Sequence, residues 1–153
     1  MKKLIFYLLY FVVLGYMPLL YADSLTPKQI QVFDKIITIN DNCTVEVVSK
    51  NATNTKQTLK LNLPHTENCH FVTYSKTSVI HMEIIKQHYV VLIESSKIID
   101  PKDEKLGCET RYQALAVGLD GSIKLSKKIN GGSACHMDRE RSEFVYLMHG
   151  IIK

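Results

Sequence analysis

The chain has 153 residues, the size of one domain, with nineteen basic and fifteen acidic residues. Two of the lysines, Lys2 and Lys3, lie in a leader, so seventeen basic residues face fifteen acidic ones in the rest, a net charge of +2. That balance argues against nucleic-acid binding, which needs a basic face.

Lys2 and Lys3 precede an almost wholly apolar run, Leu4 to Leu20, and Tyr21-Ala22-Asp23 places a small residue before a polar one. This is the layout of a secretory signal peptide cleaved after Ala22. The competing reading is an uncleaved membrane anchor, since the run is just long enough to span a bilayer. Gly15 and Pro18 weaken the end of that helix and favour cleavage. The chain therefore divides into a signal peptide, 1–22, and one exported domain, 23–153, periplasmic or secreted. Its four cysteines, Cys43, Cys69, Cys108 and Cys135, all lie in that domain and read as a disulfide framework. Sequential pairing, Cys43 with Cys69 and Cys108 with Cys135, is favoured because each pair brackets a strand–turn–strand pattern.

Thr26 and Pro27 open a stretch in which Ile30, Phe33, Ile36 and Ile37 recur at helical spacing, which predicts an amphipathic helix from Pro27 to Thr38. Asn40-Asp41-Asn42 is a stop. Cys43 to Ser49 is β-branched and reads as a strand. Leu59, Leu61 and Leu63 alternate with Lys60 and Asn62, a half-buried strand ended by Pro64. Cys69 opens another strand, CHFVTYS. Val79 to Ser95 reads as a hairpin turning at Gln87-His88. Ile84 then faces Val91, and His81 faces Glu94. In this register Ile80, Met82, Ile84, Val91 and Ile93 line the core face, and the other face is mixed and half solvated.

Lys97 to Gly107, KIIDPKDEKLG, is a long charged loop, and long loops in small domains are often functional. Lys97, Asp100, Pro101, Lys102, Asp103, Glu104 and Lys105 are its candidate partner contacts. Cys108 to Cys135 reads as a hairpin turning at Asp120-Gly121, with Ala116 facing Leu125. Its first strand is apolar on both faces, which predicts a central strand, and Ala114, Ala116 and Gly118 permit a helix to approach. Asp138 to Gly150 reads as a C-terminal helix, with Phe144, Leu147, Met148 and Ile151 as its stripe; a strand is the rival reading.

Catalytic and ligand motifs are sparse. His65, His70, His81, His88, His136 and His149 form no His-x3-His spacing and the cysteines no Cys-x2-Cys, and no metal or cofactor site is expected. There is no Gly-x-Ser-x-Gly elbow and no phosphate-binding glycine loop. His81 opposite Glu94 is the one candidate acid–base pair, and an ordinary cross-strand pair is its simpler reading. Asn42-Cys43-Thr44 and Asn51-Ala52-Thr53 are formal glycosylation sequons.

The expected fold is α+β: one antiparallel sheet of six or seven strands, a helix from each end of the exported domain, and two disulfides. The expected function is non-enzymatic protein binding, as an inhibitor, an immunity-type protein or an envelope accessory. A small-molecule or lipid module with a pocket between sheet and helices is the alternative. A hydrolase built on His81 and Glu94 stands third. The expected partner is another protein, with membrane contact only through an uncleaved leader.

Overall fold

The computed structural model describes residues 26–50, 55–64, 68–75, 77–100, 102, 107–133 and 138–152. The predicted leader and its expected cleavage point at Ala22 lie outside these residues.

The predicted N-terminal helix is a β-hairpin. Strands β1 (Gln29–Val32) and β2 (Lys35–Ile39) pair antiparallel, with Gln29 opposite Thr38 and Val32 opposite Lys35. The two-residue turn between them is Phe33-Asp34. Beside the helical period the segment carries a period of two in each half, Ile30 with Val32 and Ile37 with Ile39. Gln29 and Gln31 are exposed, while Val32, Ile37 and Ile39 are buried. Ile36, Ile37, Thr38 and Ile39 are β-branched and lose side-chain freedom in a helix, so the strand prevails. Phe33 makes the reversal at φ 55°, at the first central position of a hairpin turn, where glycine is usual.

β3 (Thr44–Ser49) pairs with β2, and β4 (Lys56–Lys60) pairs with β3, giving a four-stranded meander ordered β1-β2-β3-β4. In β3, Val45 and Val47 are buried and Thr44, Glu46 and Val48 half-buried, the alternation expected of this stretch. The 58–63 strand ends sooner than predicted: Lys60 opposite Thr44 is its last ladder pair. Leu61 and Leu63 still enter the core. Past the ladder, the Asn62 N–H donates to Gln113 Oε1 at 2.9 Å.

The second sheet has β7 (His88–Ile98) and β8 (Cys108–Gly118) at its centre. β5 (His70–Phe71) and β6 (Met82–Ile85) both pair with β7 on one side, and β9 (Ile123–Leu125) and β10 (Asn130–Gly132) both pair with β8 on the other. The β6–β7 turn is Lys86-Gln87, so Ile84 lies opposite Tyr89, not Val91. That two-residue shift in partner preserves the predicted division of side chains between the two faces. The β8–β9 turn differs in length. Gly121 donates to the Gly118 carbonyl at 2.9 Å, Gly118 donates to the Ser122 carbonyl at 2.8 Å, and Gly121 has φ 77°. This is a three-residue turn with glycine in the left-handed region. It puts Leu115, not Ala116, opposite Leu125.

Between β9 and β10 the strand opposite β8 gains two residues: Leu125 faces Leu115, yet Asn130 faces Tyr112. Ser126 repairs the interrupted ladder. Its N–H donates to the Ala114 carbonyl at 2.8 Å, its Oγ accepts the Ala114 N–H at 3.0 Å, and its hydroxyl donates to the Lys128 carbonyl at 2.8 Å.

Three layers result. Ile37, Ile39, Val45 and Val47 of the first sheet pack against Phe71, Val91, Ile93, Leu115 and Val117 of the second. On the other face of the second sheet, Val90, Leu92, Ala114 and Ala116 pack against Phe144, Leu147 and Met148 of the one helix among the described residues, α1 (Arg141–Met148). Each of these aliphatic side chains contributes about 1.5–3 kcal/mol on burial. β8 is thus covered on both faces, as its sequence predicts, and its alanines sit under the helix. The face of β7 expected to be half solvated is the helix-covered core. Met82 and Ile84, expected to be core, lie exposed on β6. The α+β expectation of a single sheet between two helices is therefore corrected. The chain is mostly β, its second sheet is covered by another sheet where a helix was predicted, and the one helix among the described residues is C-terminal. That helix is capped by Glu140 in a capping box with Glu143. Asp138, at which the predicted helix opens, lies before α1 and accepts the Ser75 N–H.

Cys43 and Cys69 are bonded, with their Cα atoms 5.4 Å apart. Cys43 precedes β3 and Cys69 precedes β5, so the bridge clamps one sheet to the other instead of closing a hairpin. Spanning 26 positions, it stabilises by about 3.5 kcal/mol through the unfolded chain. This is the disulfide with both ends among the described residues, where the sequence predicted two. Cys108 is also disulfide-bonded, and its predicted partner, Cys135, lies outside the described residues.

Candidate functional site

The run VVLIESS places Glu94 in the buried interior of β7, where a carboxylate requires partners. It finds them across the sheet. His70 of β5 and Tyr112 of β8 lie opposite Glu94 on either side, and Asn130 of β10 lies opposite Tyr112. Arg139, in the segment leading into α1, closes over this row. Its guanidinium sits 4.4 Å from the Tyr112 ring centre and donates to Glu94 Oε2 at 3.0 Å and to Thr110 Oγ1 at 3.4 Å. His70 Nε2 lies 3.6 Å from Glu94 Oε1, and its Nδ1 is 2.9 Å from the Asn68 carbonyl, which fixes Nδ1 as a donor. The Tyr112 hydroxyl donates to Glu143 of α1.

The electrostatics are mutual. Burial opposes ionisation of Glu94, but His70 and Arg139 outweigh it and hold the carboxyl below its ordinary range. Burial likewise opposes charge on His70, while Glu94 and the Asn68 carbonyl outweigh it and raise its pKa. Burial, then the Glu143 carboxylate, pushes the Tyr112 phenol well above its ordinary value. A carboxylate saturated by two cations is a poor proton acceptor. The arrangement acts as an anchor, tying the lead into α1 to three strands.

The predicted pairing of His81 with Glu94 does not form; His70 occupies that place. The His81 ring stacks on Tyr74, with centres 4.2 Å apart, and tilts against Phe144 at 4.7 Å. Its Nε2 is 3.2 Å from Glu83 Oε1, and its buried Nδ1 has no hydrogen-bond partner among the described residues. Glu83 also holds Arg141, whose Nη2 donates to the Ile84 carbonyl at 2.9 Å, blocking part of the open edge of β6. His88 Nδ1 contacts the Lys86 carbonyl at 2.7 Å, and His149 is the helix C-cap. His65 and His136 lie outside the described residues. Among the described residues, no three His, Cys, Asp or Glu side chains gather as a metal centre would require.

The predicted contact loop sits at one end of the β7–β8 hairpin and is shorter than expected. Lys97 stays in the ladder opposite Glu109, and Ile98 stays opposite Cys108. The turn proper begins at Ile99, whose N–H donates to the Gly107 carbonyl at 3.3 Å. Asp100 accepts the Lys102 N–H at 2.8 Å. Pro101, Asp103, Glu104 and Lys105 lie outside the described residues. Ile98 and Ile99 are 55% and 52% exposed. Both sit where the ladder gives way to the turn, and neither the first sheet nor α1 covers them.

No family model, curated protein or solved structure matches the chain. The cluster of His70, Glu94, Tyr112 and Arg139 is what sequence reasoning missed. Its one legible signal is Glu94 itself, a charge within a strand otherwise apolar on both faces. The identity of its partners depends on cross-strand register and on a segment 45 positions away, neither of which periodicity reveals.

Proposed function

We propose that the chain is an exported, non-enzymatic protein-binding domain that presents the Ile98–Gly107 end of its central hairpin to a partner. The observation that carries this reading is the joint exposure of Ile98 and Ile99 at the end of a hairpin whose middle is buried on both faces. The position of Ile98 and Ile99 supports it: they adjoin the buried middle of β7 and β8, so these two side chains lose little ordering entropy on binding. Adjacent apolar anchors beside Lys97, Asp100 and Lys102 match the composition of a recognition patch, an apolar centre with a charged rim. A pocket between sheet and helix draws no support from that interval, where Ala114, Ala116, Phe144, Leu147 and Met148 are all buried.

A photo-crosslinking residue at position 99, introduced in the exporting host, tests this. The expected result is one discrete adduct with another protein, lost when Ile98 is also changed to Ser. A control crosslinker at Lys56, on the first sheet's edge strand, should give none. No adduct at position 99, or the same adducts at both positions, would refute the reading.

A further inference from the structure

A second surface lies at the opposite end of the eleven-residue strand β7. Three hairpin turns meet there. The Leu119 N–H donates to the Gln87 carbonyl at 3.3 Å, joining the β8–β9 turn to the β6–β7 turn. The Phe33 ring stands edge-on to Tyr89 with centres 5.0 Å apart, joining the β1–β2 turn to the start of β7. Ile84 lies opposite Tyr89 in the β6–β7 ladder. Phe33, Ile84 and Leu119 are 46%, 56% and 62% exposed. Phe33, Lys86 and Gln87 hold positive φ without being glycine, a backbone cost that tends to persist at functional sites.

The charge around these residues is net positive. Lys50 and Lys86 are exposed and Lys35 and Lys124 half-buried. Against these four lysines stand two ionised carboxylates, Asp34, which accepts the Ser49 hydroxyl at 2.7 Å, and Asp120, which accepts the Ser122 N–H at 2.9 Å, while Glu83 is paired with Arg141 of α1. The turns also satisfy much of their own backbone, through Gly121 to Gly118, Gly118 to Ser122 and Lys50 to Asp34. Protruding apolar side chains, self-satisfied turns and surrounding lysines are what an anionic membrane interface selects.

We propose that this turn end docks on an anionic lipid bilayer, with Phe33, Ile84 and Leu119 entering the interface and the lysines meeting the headgroups. The contact is independent of the leader and of the Ile98–Gly107 end, which would then face away from the membrane.

The sequence contains no tryptophan, so Phe33→Trp in the full chain provides a single fluorescent reporter at the docking end. It is mixed with phosphatidylcholine vesicles with and without phosphatidylglycerol. Emission should shift to the blue, and the protein should co-float, with the anionic vesicles alone. Lys86→Gln should weaken binding about fivefold, the worth of one lysine near such a surface. The pair Ile84→Ser and Leu119→Ser should abolish the shift while leaving the urea unfolding transition in place. Absence of any shift overturns the proposal, as does equal binding to both vesicle types. Binding that survives the serine pair also overturns it, since the apolar run 4–20 would behave that way. A dimer in sedimentation equilibrium that the serine pair dissolves assigns the surface to a second copy of the chain and overturns the lipid reading.

Discussion

Arg139→Met tests whether the buried ionic row is a structural anchor. The substitution keeps an apolar stem near the Tyr112 ring and removes the guanidinium. Glu94, 2% exposed, then loses its 3.0 Å donor and keeps His70 at 3.6 Å. Breaking a buried pair by removing one partner costs about 3–5 kcal/mol. Because His70 remains as a second cation, the lower end, about 3 kcal/mol, is expected, a large share of the 5–15 kcal/mol typical of a whole domain. Glu94→Gln should lose a comparable amount by stranding Arg139. The double variant should lose less than the sum, with a coupling energy of about 2 kcal/mol. Urea unfolding followed by far-ultraviolet circular dichroism, with disulfides intact and near pH 6 where both groups are charged, measures all four chains. Additive losses, or a loss below about 1 kcal/mol for Arg139→Met, would show that Arg139 does not anchor the lead into α1.

Three further outcomes follow from the same geometry. His70 has a raised pKa, so its stabilising charge is fully present below its unfolded value of 6.5 and is lost as pH climbs through the folded value. Glu94 has a lowered pKa, so its contribution is present above 4.5 and fades as pH falls through the folded value; stability contributed by the pair should peak between those two unfolded values. His70→Gln should flatten the upper flank in a pH series of urea midpoints. Phe33→Gly should be more stable than Phe33→Ala by about 1 kcal/mol, since both lose the Tyr89 contact and only glycine relieves the positive φ; equal midpoints would remove the argument for backbone strain. Ser126→Ala should cost about 1–3 kcal/mol by leaving the Ala114 N–H, deep under the β9–β10 offset, without its acceptor, and amide exchange at Ala114 should quicken.

The sequence made the pattern of burial more legible than the architecture. Alternation in Cys43–Ser49, apolar residues on both faces of Cys108–Gly118 and the stripe Phe144, Leu147, Met148 each reflect a local periodicity, and local periodicity survives folding. The N-terminal segment failed because Ile30, Phe33, Ile36 and Ile37 satisfy a helical period while Val32, Ile37 and Ile39 satisfy a strand. A turn made by Phe33 in a glycine-like conformation carries no glycine to announce it. The Asp120-Gly121 turn was recognisable, but its length was not: one extra residue moved Leu115 into the place expected for Ala116. Two sheets instead of one follow from the hairpin that replaced the helix, because it supplied the apolar face that covers the second sheet.

That covering also divides the roles of residues. β7 and β8 are enclosed between the first sheet and α1, so substitutions in their middle act on stability: Val91, Ile93, Ala114 and Leu115 touch other core residues and no solvent. The same enclosure leaves Ile98 and Ile99 at one end, and Phe33, Ile84 and Leu119 at the other, without a covering layer. Their apolar surface adds little to the core, yet it remains exposed on turns and strand ends where polar residues fit as well. The two ends are tied through a spine about 33 Å long at the usual strand rise, held flat on one side by a sheet and on the other by the Arg139-anchored helix. A partner bound at the 98–107 end would therefore be held at a fixed stand-off from whatever the turn end contacts. Loosening the anchor with Arg139→Met should blur that stand-off without altering either surface.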